Sequence, residues 1–205
     1  MPHPSPYSPN ADSLPVMGLV LGVVAAVGFS FKAILVKLAY RHGVDAETLL
    51  ALRMLFSLPF FLFMGWQGSR RAAAALGWRD WRALGLLGFS GYYLASYLDL
   101  LGLGYITAAL ERLILFAYPS IVVILSALFL GKALTQRTVV ALVMCYLGVA
   151  FAVAHDLRLS GEATEVMIGS ALVFGSAVAY ALYLMGNGQV VGRLGAARVT
   201  AWAST

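Results

Sequence analysis

The sequence predicts an all-α membrane protein, and three observations predict it. Six long apolar runs cover most of the chain, at Val16–Tyr40, Thr48–Trp66, Leu84–Leu103, Ala108–Leu130, Val139–Ala154 and Val166–Gly186, followed by the start of a seventh. Most approach the ~20 residues that carry a helix across ~30 Å of hydrocarbon. Within the runs the apolar residues are continuous rather than alternating, which excludes a barrel strand, and a helix satisfies its own backbone in lipid. Finally, 61% of residues are hydrophobic and 11% charged, against about 25% charged in a soluble domain.

The elements follow in order. Residues 1–15, MPHPSPYSPNADSLP, are proline-rich and carry no Lys or Arg. They lack the basic start, short apolar centre and small-residue cleavage site of a secretory signal, and read as a disordered cytosolic tail. The first two apolar runs come next. The loop between the second and third holds Arg70, Arg71, Arg79 and Arg82 with Trp66, Trp78 and Trp81 beside it, and Ser69–Trp81 reads as a short interfacial helix. The third and fourth runs form a tight hairpin turning near Gly104–Thr107. Pro119 removes a backbone hydrogen bond in the fourth run and should kink it. Gly18-x-x-x-Gly22 and Gly91-x-x-x-Ala95 permit close helix approach.

The net charge of +5 does not point to nucleic acid, because the basic residues sit mostly in loops. Counted loop by loop they give an orientation. The loops after the second, fourth and sixth runs add Lys132, Arg137, Arg193 and Arg198 to the four arginines above, eight in all; the opposite side has Lys37, Arg41 and Arg158. Positive residues stay on the cytoplasmic side, so the N-terminus is expected inside, and dual topology is disfavoured. The single cysteine, Cys145, lies in an apolar run and carries no internal disulfide, redox or metal chemistry. No cofactor is expected.

The chain also matches itself. Shifting residues 16–40 by 151 places Gly18 on Gly169, Ala26 on Ala177 and Phe29 on Tyr180; one residue further on, Gly43-Val-Asp-Ala falls on Gly195-Ala-Ala-Arg. The first unit has an odd number of helices, five, so a second copy enters from the other side of the membrane. Such inverted repeats are common in secondary transporters.

GLLGFSGYYLASYLDLLGLGYITAALERLILFAYPSIVVILSALFLGKALT followed by VVALVMCYLGVAFAV, between Ala83 and Val153, resembles the repeat unit of the EamA family in the drug/metabolite transporter superfamily. GFSFKAILVKLAY and ALRMLF, with Lys37 and Arg53, resemble its first two helices; GSALVFGSAVAYALYLMGNGQVVGRLG resembles the start of its second repeat. The resemblance implies an inverted repeat of five-helix units, with residues 16–155 as the first and 166–205 as the start of the second. It implies about six complete membrane helices here of an expected ten, hence a chain truncated after the sixth helix. It also implies transport of small metabolites, with efflux of amino acids or related compounds from the cell across the inner membrane. One departure stands out: Gly131-Lys132 replaces the Gly-Glu that usually closes the fourth helix. A truncated, non-transporting membrane scaffold is the alternative.

Polar residues at membrane depth should carry the chemistry, since each Arg, Lys or Asp costs about 2.5–3.5 kcal/mol there. Lys32, Arg53, Asp99, Glu111 and Arg112 are the candidates. Asp99 and Arg112 lie about five residues either side of the hairpin turn, ~8 Å down from it, and are expected to meet as a salt bridge or as part of a substrate or proton site. Glu111 is the candidate proton-titrating group, its neighbour Arg112 pointing about 100° away, and protons are a candidate coupling ion. Ser176, Tyr180, Tyr183 and Asn187 share one helical face, matched by the repeat shift to Ala25, Phe29, Lys32 and Val36. Tyr92, Ser96 and Asp99 share another, and Tyr118 lies two turns from Glu111. Lys32, Tyr180 and Tyr183 are expected to line one central cavity. The three histidines lie outside the runs or at their ends, and no paired catalytic set stands at membrane depth, which argues against an enzyme.

Overall fold

The computed structural model describes residues 16–70, 76–131, 134–159 and 162–204. The expected tail at 1–15 and the middle of the expected interfacial helix lie outside them. The described residues form helices: α1 (Val16–Arg41), α2 (Ala46–Arg70), α3 (Trp78–Leu87), a π-helical turn (Gly88–Leu94), α4 (Ala95–Tyr105), α5 (Ala108–Leu115), α6 (Tyr118–Leu130), α7 (Gln136–Leu159), α8 (Ala163–Leu194) and α9 (Ala196–Ala203). Among the described residues four helical stretches are long and apolar enough to cross a membrane: Ala46–Arg70, Ala108–Phe129, Gln136–Arg158 and Ala163–Leu194. α1 matches them in length at 26 residues, and α3, the π turn and α4 run on without a break. The chain is an all-α, multi-pass membrane protein.

Local chemistry sets the helix boundaries. α1 closes on a Schellman turn: Gly43 N–H donates to Tyr40 O at 3.0 Å and Val44 N–H to Ala39 O at 3.3 Å, with Gly43 at φ +80°, where a side chain would be strained. Asp45 then caps α2, its Oδ1 accepting from Thr48 N–H at 3.1 Å. The Thr48 side chain and backbone hold the Asp45 carboxyl below its ordinary pKa. Gly195, between α8 and α9, also takes a positive φ, +83°, and its N–H donates to Val191 O at 2.9 Å. Thr107 caps α5 through Leu110 N–H at 3.2 Å and donates to Asp156 Oδ2 on α7 at 3.1 Å.

Pro119 breaks the fourth run as expected. α5 ends at Leu115 and α6 begins at Tyr118. Between them Ala117 N–H reaches Ile114 O, a tighter three-residue bond, at 3.0 Å, because the proline ring displaces the carbonyl four residues before it. Two boundaries differ from the sequence reading. Ser69 and Arg70 finish α2 while Trp78–Trp81 begin α3, so the ends of the expected interfacial helix belong to its neighbours. The sixth helix is 32 residues long, about 48 Å at 1.5 Å per residue. Its last turns stay helical because Val190 packs with Leu84, Leu87, Val199 and Ala203 in one apolar cluster.

α8 is the hub, packed against α3 to α7, the π turn and α9. The approach depends on missing side chains. A Cβ at Gly102 would stand 2.6 Å from Val173 Cγ2 and 2.9 Å from the Gly169 carbonyl oxygen, and one at Gly169 would stand 2.6 Å from Ile106 Cγ2. Gly91 receives the Tyr183 ring, whose Cγ would lie 2.2 Å from a Cβ there. Gly91-x-x-x-Ala95 thus packs as expected, whereas Gly22 has no neighbour within 4 Å among the described residues.

Candidate functional site: a polar cavity beside the central helix

Asp99 is one of few charged side chains buried in the described structure, 2% exposed. Lys32 Nζ on α1 donates to its Oδ2. This overturns the expected Asp99–Arg112 pair. Across the hairpin Arg112 places its Nε 3.3 Å from Glu111 Oε2 on the same helix, so adjacency in sequence prevails over the ideal 100° offset because both long side chains can bend toward each other. Glu111 is fully buried, close enough to Asp99 and Lys32 to interact, and neither its oxygens nor Asp99 Oδ1 makes a hydrogen bond among the described residues. The structure therefore brings two carboxyl groups and Lys32 together where one ion pair was expected.

Beside this cluster lies a cavity of about 520 Å³. Each wall is a helical stripe, because residues three or four apart share a face. α2 contributes Arg53, Ser57 and Phe61; the π turn and α4 contribute Tyr92, Ser96 and Asp99; the kink between α5 and α6 contributes Phe116 and Tyr118; α8 contributes Ser176 and Tyr180; and α1 contributes Lys32. Of the expected site residues, Lys32, Tyr92, Ser96, Asp99, Tyr118 and Tyr180 line the cavity; Glu111, Arg112, Tyr183 and Asn187 do not. Tyr183 stands one layer behind, its ring on Gly91, its hydroxyl donating to Tyr92 Oη at 3.4 Å. Asn187 is half-buried away from the cavity. The expectation that Lys32, Tyr180 and Tyr183 all line it therefore holds for the first two; the small Gly91 opposite draws the Tyr183 ring into the packing instead.

The aromatic rings form a connected wall. Phe61 meets Tyr92 edge-on with centroids 6.5 Å apart, Tyr92 meets Tyr183 at 5.4 Å, Tyr183 stacks on Tyr180 at 5.7 Å, and Tyr180 meets Tyr118 at 5.1 Å. These are the edge and offset arrangements aromatic quadrupoles prefer. They tie α2, the π turn, α8 and α6 together. The π turn matters here, since one extra residue in the turn re-aims the side chains beyond it and such turns cluster at functional sites; Ala95 N–H bonds to Ser90 O, five residues back. Ser176 Oγ fastens α8 to this segment by donating to the Ala95 carbonyl at 2.6 Å.

Arg53, one of the expected membrane-depth charges, also lines the cavity. Its Nη2 donates to Ser96 Oγ at 2.6 Å. The spacing Arg53, Ser57, Phe61 was the available signal: a polar pair and an aromatic at i, i+4 and i+8 on an otherwise apolar helix. On the side of the arginine-rich loop, Arg193 Nη2 meets Asp80 Oδ1 at 2.9 Å. There Trp202 packs edge-on to Trp81 at 5.4 Å and donates from Nε1 to Ser69 Oγ at 3.2 Å, so α8 and α9 are fastened to α2 and α3.

Comparison with known proteins agrees with this architecture. Residues 16–154 match the EamA-like transporter family. A protein of Bacillus subtilis (strain 168), described as the uncharacterized transporter YcbK, is 28% identical over 194 residues, which cover 92% of this chain and 60% of that protein. The chain thus spans less than two thirds of that relative's length. No solved structure matches. With a family match over residues 16–154, most of its described helices, the chain belongs to the EamA-like transporter family.

Proposed function

We propose that the cavity is the substrate site of a transporter that moves small metabolites across the cell's inner membrane by alternating access. Amino acids or related compounds are the proposed cargo and export the proposed direction. The observation that carries this reading is the placement of Lys32, Asp99 and Tyr180 around one cavity, with Tyr180 on the helix that opens the proposed second repeat. Polar side chains at membrane depth are costly and mark substrate or ion pathways. The positive φ shared by Gly43 after α1 and Gly195 after α8, +80° and +83°, supports a two-unit arrangement in which equivalent helices meet at the midplane.

Protons are the proposed coupling ion. Asp99 and Glu111 are two nearby buried carboxyl groups beside Lys32, and like charges in one site favour keeping a proton between them. The proposed orientation has the N-terminus and the Arg70–Arg82 loop in the cytoplasm. Flux of radiolabelled amino acids from proteoliposomes holding the purified chain tests the reading. Accelerated efflux that responds to an imposed pH gradient supports it, and flux no faster than from empty liposomes contradicts it.

A further inference from the structure

Among the described residues the charges around the cavity do not balance. Lys32, Arg53 and Arg112 are set against Asp99 and Glu111, an excess of one positive charge, or of two when the carboxyls share a proton. The two carboxylates are engaged: Asp99 by Lys32 and Glu111 by Arg112. Arg53 lines the cavity, and among the described residues it meets no carboxylate at ion-pair distance; it donates instead to the Ser96 hydroxyl at 2.6 Å. A guanidinium has five donors in a planar fork that fits a carboxylate in two-point fashion. The Ser96 contact holds the fork by one nitrogen and leaves donors for a ligand.

We propose that Arg53 is the anion-binding group of this cavity and that the ligand is a small organic carboxylate with an apolar or aromatic body. The body follows from the other walls. Phe61, Tyr92, Phe116, Tyr118 and Tyr180 line the same space, and flat rings bury apolar ligand surface while their hydroxyls remain available to polar substituents. The volume of about 520 Å³ lies within the ~300–1,000 Å³ usual for small-molecule sites. The carboxylate that lines the cavity, Asp99, is paired with Lys32, so a cationic ligand meets a net positive wall and binds less tightly than a carboxylate of the same shape. Amino acids fall in the class by their carboxylate. The proposal rests on the reading of the cavity as the substrate site and names what that site selects.

The test is isothermal titration calorimetry on the full chain in nanodiscs of zwitterionic lipid, with 3-phenylpropionate and phenethylamine as probes. The two share a ring and a short chain and differ in the sign of the charge. The unaltered chain should bind 3-phenylpropionate at least roughly tenfold more tightly, the scale of one hydrogen bond to a charged group. Arg53→Gln should remove that preference, Arg53→Lys should keep part of it, and Arg158→Gln, outside the cavity, should leave it unchanged. Equal binding of both probes, or preference for the amine, overturns the proposal while leaving the cavity as a site. Binding of neither overturns both readings. The probe comparison on the unaltered chain decides the matter even if a variant fails to fold.

Discussion

Lys32 on α1 and Asp99 on α4 form an ion pair 67 residues apart in sequence, with the carboxylate side chain 3% exposed and the lysine 25%. The pair fixes α1, much of whose surface is otherwise open to lipid, to the hairpin that α8 packs against. Removing one partner leaves the other charge unpaired in low dielectric. Asp99→Asn or Lys32→Met alone should therefore cost on the order of 3 kcal/mol, and the double change should recover part of it. A double-mutant cycle on unfolding in mild detergent measures this; additive losses would contradict the pairing.

Gly91 and Gly22 separate packing glycines from lipid-facing ones. A methyl at Gly91 would collide with the Tyr183 ring 2.2 Å away. Gly91→Ala should destabilise by about 1–3 kcal/mol. Gly22 has open space around it, so Gly22→Ala should be neutral or slightly stabilising, since alanine is the better helix former. Thermal denaturation of the two variants side by side would show the difference; equal effects would mean that the Tyr183 ring is not held against the π turn.

At the arginine-rich end, Asp80 has two roles. Its Oδ1 meets Arg193 at 2.9 Å and its Oδ2 accepts from Gly77 N–H at 3.0 Å. Arg193 is largely exposed, so Arg193→Gln should change stability by under ~1 kcal/mol. Asp80→Ala also loses the helix cap and should cost about 1 kcal/mol more. Equal losses in chemical denaturation would place all of the effect in the ion pair.

The apolar runs were legible because lipid demands length and apolarity, and both are written along the chain. So was the break at Pro119. The partner of Asp99 was not: local spacing ranks Arg112 first, while Lys32 comes from a helix whose approach depends on the packing of Val36 with Leu100 and Leu103. The π turn left no periodic trace, and without it the place of Tyr92 against Tyr183 could not be read. Tyr183 shared a stripe with Tyr180, yet Gly91 opposite it turned one tyrosine into packing and left the other at the cavity. Arg53 showed its cost in the sequence but not its neighbours.

Orientation is tested from loops on opposite sides. In a Cys145→Ala background, Glu162→Cys should react with an impermeant thiol reagent added outside whole cells, and Arg79→Cys should react only after permeabilisation. The reverse pattern would invert the proposed topology, which rests on the excess of basic residues in the loops that include Arg79.

The space between α2, α4 and α8 should be a wet, substrate-accessible cavity. The direct measurement is the reactivity of Ser57→Cys and Tyr180→Cys toward a small charged methanethiosulfonate in nanodiscs, again in the Cys145→Ala background, with and without 3-phenylpropionate. Both positions line the cavity; Val173, fully buried, and Phe151, 75% exposed on the outer surface of α7, serve as comparisons. Both cavity cysteines should react and be protected by the ligand, while Val173→Cys and Phe151→Cys stay inert. Inertness at Ser57 and Tyr180 equal to that at Val173 would show dry packing and rule out a substrate cavity there.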